Sequence, residues 1–183
     1  MIAAHFVSKY AVETNSDTMS YKKLEKQHEQ LIDKALGKKV AIIHNKLILI
    51  PYEVLADAIE WIDVPTDSTE EEGWALLGLT KEGKQLNMIN IPETIEGKPI
   101  TAISTCAIFG CTALTSVTVP DTIHKVAESA FLNCPKLRSI TSTGDFFDAV
   151  GGVNSPIFAD CNISEWNYSD GLDMEFSFAP MAE

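Results

Sequence analysis

The sequence has little that suits a membrane, an export pathway or a nucleic acid. Its longest apolar run, from Val40 to Pro51, is interrupted by His44, Asn45 and Lys46, and falls short of the roughly 18 apolar residues of a membrane span. The first ten residues lack a positive leader followed by an apolar stretch. We therefore expect no signal peptide and a virion or cytoplasmic location, with the extracellular surface reached only by another export route. The net charge of −12 argues against the clustered basic face that phosphate binding requires.

The motifs of common catalytic sites are also missing. The sequence contains no GxxxxGKS, GxxxxGKT or GxGxxG phosphate loop, no GxSxG nucleophile elbow and no HExxH metal motif. The histidines stand alone and are expected to be mostly surface or turn residues: His5, His28, His44 and His124. We therefore predict no catalytic residues, no metal ligands and no cofactor, and expect that the protein is not an enzyme.

Charge is distributed unevenly along this acidic protein. The first 50 residues hold eight lysines against five acids, whereas residues 139–183 hold eight acids and no lysine or arginine. Two solvated surfaces of different composition are the simpler interpretation, and complementary contacts in an assembly are the alternative. Neither Glu70–Glu72 nor the pair Asp170 and Asp173 matches a calcium-loop spacing, so these acids are interpreted as solvated.

Residues 1–63 are predicted to form a small α/β docking section. It begins with a strand over 3–12, and Ser20 is a candidate N-cap for an amphipathic helix that ends at Gly37. Two apolar runs within 40–50 predict a tight hairpin whose turn contains His44, Asn45 and Lys46. Helical spacing of the apolar residues after Pro51 predicts a second short helix up to Asp63.

The stretch 64–73 is the predicted linker, because it is rich in acids and turn formers and has no apolar periodicity. Residues 74–183 then form the second domain. Its first segments, Trp74–Leu79 and Gln85–Ile91, flank the sequence KEGK and are expected to form a hairpin with Gly83 in its turn.

A repeat of 23 residues lies within the second domain, where residues 103–117 align with residues 126–140. The matched positions are small or apolar and form the predicted repeat core: Ile103, Ala107, Ile108, Cys111, Leu114, Val117, Val126, Ala130, Phe131, Cys134, Leu137 and Ile140. The period falls within the range of about 20 to 29 residues in leucine-rich repeats, whose units contribute short strands to a stacked core.

The sequence around this repeat resembles the BspA-like leucine-rich repeat family over about residues 73–143. The resemblance is carried by INIPETIEGKPITAI, CTALTSVTVPDTI, AESAF and CPKLRSITSTG. Ile108 departs from the usual Phe, and Thr141–Thr143 replace Val-Pro, so we expect the regular solenoid to stop there. A degenerate third unit is expected at 155–161, where Phe158 and Cys161 keep the earlier Phe-to-Cys spacing.

The fold class expected from these observations is α+β, with a small α/β section followed by a short repeat solenoid. The ends of such a stack are apolar and require caps. The hairpin from Trp74 to Ile91 is one candidate cap, and a C-terminal strand with Met174, Phe176 and Phe178 on one face is the other. Trp166 and Tyr168 also alternate, and belong either to that cap or to an exposed partner surface.

Alternation along the repeat strands predicts an exposed strip rich in hydroxyl groups. The candidate partner-binding residues are Thr115, Ser116, Thr118, Arg138, Ser139 and Thr141. Hydroxyl groups offer hydrogen-bond partners but little acid-base power, which suits protein recognition or lateral sheet contact. A merely solvated face is an equal alternative.

Cys111, Cys134 and Cys161 occupy the equivalent repeat position, which favours small buried thiols over a zinc site. A disulfide between stacked units is conceivable, because such units lie about 4.7 to 4.9 Å apart. The missing export signal favours reduced thiols. The reactivity of Cys106, which lies outside this column, stays open.

The family resemblance implies surface binding and adhesion. The few units, the unrelated first section and the missing export signal favour a non-catalytic structural subunit of an assembly, such as a virus or phage particle, with a decoration, cement or attachment role. The alternative is a free-standing adhesion or binding module of a bacterial or host-associated surface protein. The expected partners are proteins in a homo- or hetero-oligomer, with no nucleic acid and no membrane insertion.

Overall fold

Helix α1, Tyr21–Gly37, is the first element in the part of the chain that the computed structural model describes, residues 21–65 and 73–169. Its buried residues form one stripe at helical spacing: Leu24, His28, Leu31, Ile32 and Ala35. The predicted helix is confirmed, although a surface position for His28 is wrong because the ring belongs to this stripe. The predicted strand over 3–12 and the N-cap Ser20 lie outside the described residues.

Strands β1, Ile42–His44, and β2, Leu47–Pro51, form an antiparallel hairpin. The turn residues Asn45 and Lys46 have φ angles of 46° and 71°. Two consecutive left-handed residues are typical of the type I′ turn, whose twist matches that of the flanking strands. The hairpin prediction is confirmed.

The second predicted helix is wrong beyond its first turn. Helix α2 covers only Tyr52–Leu55, and strand β3 follows at Trp61–Asp63. Strand β3 pairs antiparallel with β10, Lys125–Ala127, which lies far away in the sequence. This long-range pairing stabilises an extended backbone that the local apolar spacing did not indicate.

A seven-stranded mixed sheet has the order β1-β2-β4-β7-β10-β3, where β4 is Trp74–Leu79 and β7 is Lys98–Ile103. The short strand β6, Thr94–Ile95, pairs antiparallel with β7 outside this order. The predicted linker 64–73 thus lies between strands of one sheet, and Val64 is buried. Residues 66–72 of that linker lie outside the described residues.

The predicted hairpin from Trp74 to Ile91 does not form. Strand β4 is buried along its whole length and pairs with β2 and β7. Strand β5, Met88–Asn90, instead joins another sheet beside β9, Ser116–Thr118. Since β4 already has a neighbour on each side, no edge is left for β5.

Repeat-equivalent strands are adjacent and parallel. The remaining strands of the first two units are β8, Ile108–Phe109, β11, Phe131–Leu132, and β12, Ser139–Ser142. The ladders β7–β10, β8–β11 and β9–β12 join Cα partners at the 23-residue offset: Ile103 with Val126, Ile108 with Phe131, and Val117 with Ile140. The two units therefore stack in register.

The regular repeat is interrupted after Thr143, as the sequence predicted, and stacking resumes in the third unit. The Thr143 hydroxyl accepts a hydrogen bond of 3.1 Å from the Phe146 amide and caps helix α3, Gly144–Val150. Strands β13, Phe158–Ala159, and β14, Glu165–Tyr168, then pair in parallel with β11 and β12. The third unit forms at 155–161, and the inserted helix makes it longer than the first two.

A left-handed residue follows each of β8, β11 and β13. Gly110, Asn133 and Asp160 have φ angles of 68°, 54° and 56°. Glycine, asparagine and aspartate are the residue types that adopt this conformation most readily. The same backbone turn therefore recurs in three units.

Two apolar clusters lie on opposite faces of the mixed sheet. Leu76 and Ile103 belong to the larger cluster, which fills the interior of the repeats. Ala75 and Leu77 belong to the smaller one, which packs under α1. Because both faces are covered, β4 is apolar throughout. None of the helices in the described ranges combines the length and apolarity needed to cross a bilayer.

Candidate functional site

The predicted exposed strip lies on a four-stranded parallel sheet with the order β14-β12-β9-β5. The central residues of the four strands are register partners: Ile89, Val117, Ile140 and Trp166. The first three are buried and Trp166 is half-buried, so this row faces the interior. The residues on either side of it face outward, as the alternation of a strand requires.

Two outward rows cross the sheet. One consists of Met88, Ser116, Ser139 and Glu165, and the other of Asn90, Thr118, Thr141 and Asn167. Strands in a sheet lie about 4.8 Å apart, so each row spans roughly 15 Å. We call these eight residues, together with Thr115 and Arg138, the repeat face.

The six residues predicted as a binding surface lie together on the repeat face. Ser116, Thr118, Ser139 and Thr141 form its centre, and Thr115 and Arg138 stand just before the two central strands. The Thr115 carbonyl accepts hydrogen bonds of 3.2 Å from the backbone amides of Arg138 and Ser139. Arg138 is exposed and the other five are partly exposed.

Sequence reasoning missed the residues at the two edges of the face, which are Met88, Asn90, Glu165 and Asn167. Met88 is 57% exposed, and the Asn167 side-chain amide donates a 3.4 Å hydrogen bond to the Ser139 hydroxyl. A signal for β5 was present, because LNMINIPETI at 86–95 matches LTSVTVPDTI at 114–123 position by position. The assumed hairpin with β4 obscured this additional unit.

The twelve predicted core residues lie beneath the repeat face and its neighbouring turns. Each is at most 1% exposed, from Ile103 to Ile140. The rings of Phe131 and Phe158 continue the stack into the third unit, with centroids 5.0 Å apart. The face therefore rests on a continuous layer of buried, mostly apolar side chains.

Cys111, Cys134 and Cys161 form a column of thiols through the three units. The Cys134 thiol donates to the Ile108 carbonyl at 3.6 Å, and the Cys161 thiol donates to the Phe131 carbonyl at 3.7 Å. Hydrogen bonding to Cys134 lowers the pKa of Cys111 and raises the pKa of Cys161. The pKa of Cys134 is raised to about 12, chiefly by its hydrogen bond with Cys111. All four cysteines of the chain are free thiols.

The side chains of the face carry hydroxyl groups, amides, one guanidinium group, the carboxylate of Glu165 and the thioether of Met88. Within residues 21–65 and 73–169, no three His, Cys, Asp or Glu side chains are grouped so that they could hold a metal ion. The histidines of these ranges lie apart, with His28 under α1, His44 exposed at the end of β1 and His124 just before β10. His5, the acids at 70–72, Asp170, Asp173 and the predicted strand at 174–178 lie outside the described residues.

The match to a family model supports the repeat assignment. A family model described as the BspA type leucine rich repeat region, with six copies, matches residues 81–175, which is just over half of the chain. No curated protein matches. Among solved structures, the chain is similar to a leucine rich cell surface protein from Faecalibacterium prausnitzii A2-165, with 13% identity and a TM-score of 0.35. That match covers 75% of this chain and 42% of the other, so the chain spans less than half of that protein's length.

The family match includes the three stacked units and the additional unit at β5. It begins before β5 and continues past β14, so it covers all four strands of the repeat face. The registers at the 23-residue offset agree with it independently. The chain belongs to the BspA-type leucine-rich repeat family.

Proposed function

We propose that the chain is a non-catalytic protein-interaction module, built as a short solenoid whose binding surface is the repeat face. The observation that carries this proposal is the pair of outward rows across β5, β9, β12 and β14. Seven of their eight residues bear a hydroxyl, an amide or a carboxylate, and the eighth, Met88, adds an exposed apolar group at one edge. Such a surface can donate and accept hydrogen bonds without performing acid-base chemistry.

The size of the repeat face sets a condition on how a partner binds. Two outward rows about 15 Å long cover much less than the roughly 800 Å² that each partner buries in a standard interface. A stable contact must therefore extend over the adjoining loops. The loops before β9, β12 and β14, which lead directly into the face, are the natural extension.

Two biological settings were expected for a binding role, an assembly such as a virus or phage particle and adhesion at a surface. Membership in this repeat family supports protein binding and surface adhesion alike. It offers nothing in favour of a virus or phage particle, so the proposal does not include that setting. Adhesion is the second candidate, and it uses the same face.

A charge substitution at the centre of the face tests the proposal. Thr118→Arg and Thr141→Arg would each place a long cation in an outward row, whereas Gln30→Arg would add the same charge on an exposed position of α1. Each protein is immobilised and used to capture partners from its native source. We expect the wild type and Gln30→Arg to capture the same partner proteins, and either face variant to capture none of them. Identical capture by all four proteins would contradict the repeat face as the binding surface.

A further inference from the structure

A groove of about 660 Å³ adjoins the repeat face. The loops before β9, β12 and β14 form it together with the short turn Gly152–Asn154 after α3, and its polar side chains are Thr115, Lys136, Arg138, Asn154, Asn162 and Ser164. We propose that this groove binds an acidic segment of a protein partner, with carboxylates held by Lys136 and Arg138. The inference deepens the proposed function, on which it rests, by naming the chemistry of the partner.

The groove concentrates positive charge in a chain of net charge −12. Arg138 is the only arginine of the sequence, and no lysine or arginine follows it. Lys136 and Arg138 are exposed on either side of Leu137, which is fully buried, so both side chains extend into solvent from one short segment. The ion pairs within the described residues are Lys84 with Glu25 and Lys125 with Asp63, and neither engages this pair.

The fold itself does not require these two cations. At the 23-residue offset, Lys136 corresponds to Ala113 and Arg138 corresponds to Thr115 in the preceding unit. That unit forms the same strand and the same buried leucine, Leu114, without a charge nearby in the loop. The basic pair is thus an addition to one unit, which is what a binding role predicts and a packing role does not.

Three backbone amides of the groove already donate hydrogen bonds within the fold. The amide of Arg138 donates to the Thr115 carbonyl, the amide of Asn162 donates to Leu137, and the amide of Ser164 donates to Arg138. Phosphate sites in proteins commonly rely on free backbone amides at a helix N-terminus or a nest. Anion recognition here falls to the two cationic side chains, and the guanidinium group matches a carboxylate with two parallel hydrogen bonds.

The open shape of the groove and its apolar rim favour a peptide over a small anion. Val153 is 36% exposed, and Pro135 and Ile163 also line the groove. These groups can contact the side chains that alternate with acidic residues in an extended segment. A free inorganic anion would leave them without a role.

The direct test is a titration of the ¹⁵N-labelled chain of residues 1–183. The probe is a fluorescein-labelled peptide of alternating glutamate and valine residues, and the matched probe replaces glutamate with glutamine. Because the chain has one arginine, its side-chain Nε–H signal reports on Arg138 without ambiguity. We expect saturable binding of the acidic peptide, a shift of this signal, and weaker binding as salt rises.

Two double variants compare the loss of the basic pair with the loss of the same charge elsewhere on the surface. Lys136→Ala with Arg138→Thr installs the residues that the fold already accommodates at Ala113 and Thr115. Lys38→Ala with Lys81→Ala removes the same charge from exposed positions elsewhere. We expect the first double variant to weaken binding by about tenfold or more, because it removes both cationic donors to the carboxylates of the peptide. The second should leave the affinity unchanged.

Several results would overturn the inference. These are no saturable binding by the wild type, equal binding of the glutamine peptide, an unmoved arginine signal, or equal affinity in both double variants. Displacement of the peptide by inorganic phosphate at matching affinity would reassign the groove to small oxyanions. If the acidic peptide does not bind while Thr118→Arg still abolishes partner capture, only this inference is refuted. If the peptide binds while Thr118→Arg has no effect on capture, the two outward rows are refuted as the binding surface and the groove assignment stands.

Discussion

The Nε2 atom of His28 lies 3.0 Å from the carbonyl oxygen of Leu77, where α1 packs on β4. Burial of the ring, the largest effect, lowers the pKa of His28 from 6.5 to about 4. The hydrogen bond to Leu77 opposes this shift, and the charge of Lys84 adds to it. The ring is therefore neutral in the folded protein at pH 7, with its Nε2 proton donated to the strand.

This buried histidine predicts a loss of stability in mild acid. The unfolded chain binds a proton at His28 near pH 6.5, whereas the folded chain does so only near pH 4. The unfolded state thus holds more protons in this window, and the free energy of unfolding falls as the pH falls through it. The contribution is on the order of 3 kcal/mol, since one pKa unit corresponds to about 1.4 kcal/mol. Urea denaturation across this pH range measures it.

Two histidine variants isolate the contribution. His28→Leu should flatten the dependence between pH 6.5 and about 4, because the group that titrates is gone. His44→Asn, at an exposed position, should keep the wild-type dependence. Parallel pH profiles for the wild type and His28→Leu would contradict the assignment.

Gly78 in β4 makes room for the same helix. A Cβ atom at this position would lie 2.5 Å from Cδ1 of Ile32 and 3.1 Å from Cε1 of His28. We expect Gly78→Ala to lower the free energy of unfolding by about 1–3 kcal/mol through overpacking. Gly37→Ala at the end of α1 meets no atom within 4 Å and should instead stabilise by about 0.4–1 kcal/mol. Equal urea midpoints for the two variants would refute this account of the packing.

The repeat was predictable from sequence because its information is local and periodic. Phe131 and Ile108 could be paired by counting 23 residues, and the structure makes them Cα partners. The hairpin at Asn45 and Lys46 was predictable for the same reason, since its two strands are neighbours in sequence.

Long-range pairing was not predictable in this way. Strand β3 at Trp61–Asp63 is extended because it pairs with β10, although its local apolar spacing resembles that of a helix. Strand β4 is placed beside β7 by a parallel ladder, which no short-range pattern specifies. The edge residue Met88 was missed because Gln85–Ile91 was assigned to a hairpin with β4, and because its unit is offset by 28 residues rather than by 23.

Truncating a buried aromatic or aliphatic side chain of the second unit should destabilise the whole stack of units. Phe131 and Leu137 are both fully buried, and Phe131 also contacts the ring of Phe158 in the next unit. We expect losses of about 3–5 kcal/mol for Phe131→Ala and about 2–5 kcal/mol for Leu137→Ala. Lys136→Ala, an exposed neighbour, should change stability by less than about 0.5 kcal/mol. Comparable urea midpoints for all three variants would contradict the repeat core.

The thiol column predicts an unusual order of cysteine reactivity. Cys161 is the one partly exposed member, yet its pKa is raised, chiefly by the hydrogen bond with Cys134. Because the thiolate is the reactive form, native Cys161 should react slowly with N-ethylmaleimide at about pH 8 despite its exposure. If solvent exposure alone set the rate, Cys161 would react faster than the buried cysteines.

Removal of the neighbouring thiol separates these two causes. Cys134→Ala deletes the hydrogen-bond partner that raises the pKa of Cys161, so labelling of Cys161 should become faster. Cys106→Ala, which removes a buried thiol outside the column, should leave the rate unchanged. Trypsin cleavage after Arg138 isolates Cys161 as the only cysteine of residues 139–183, so mass spectrometry reads its modification directly. Equal labelling rates in the wild type and Cys134→Ala would show that burial, and not the thiol column, protects Cys161.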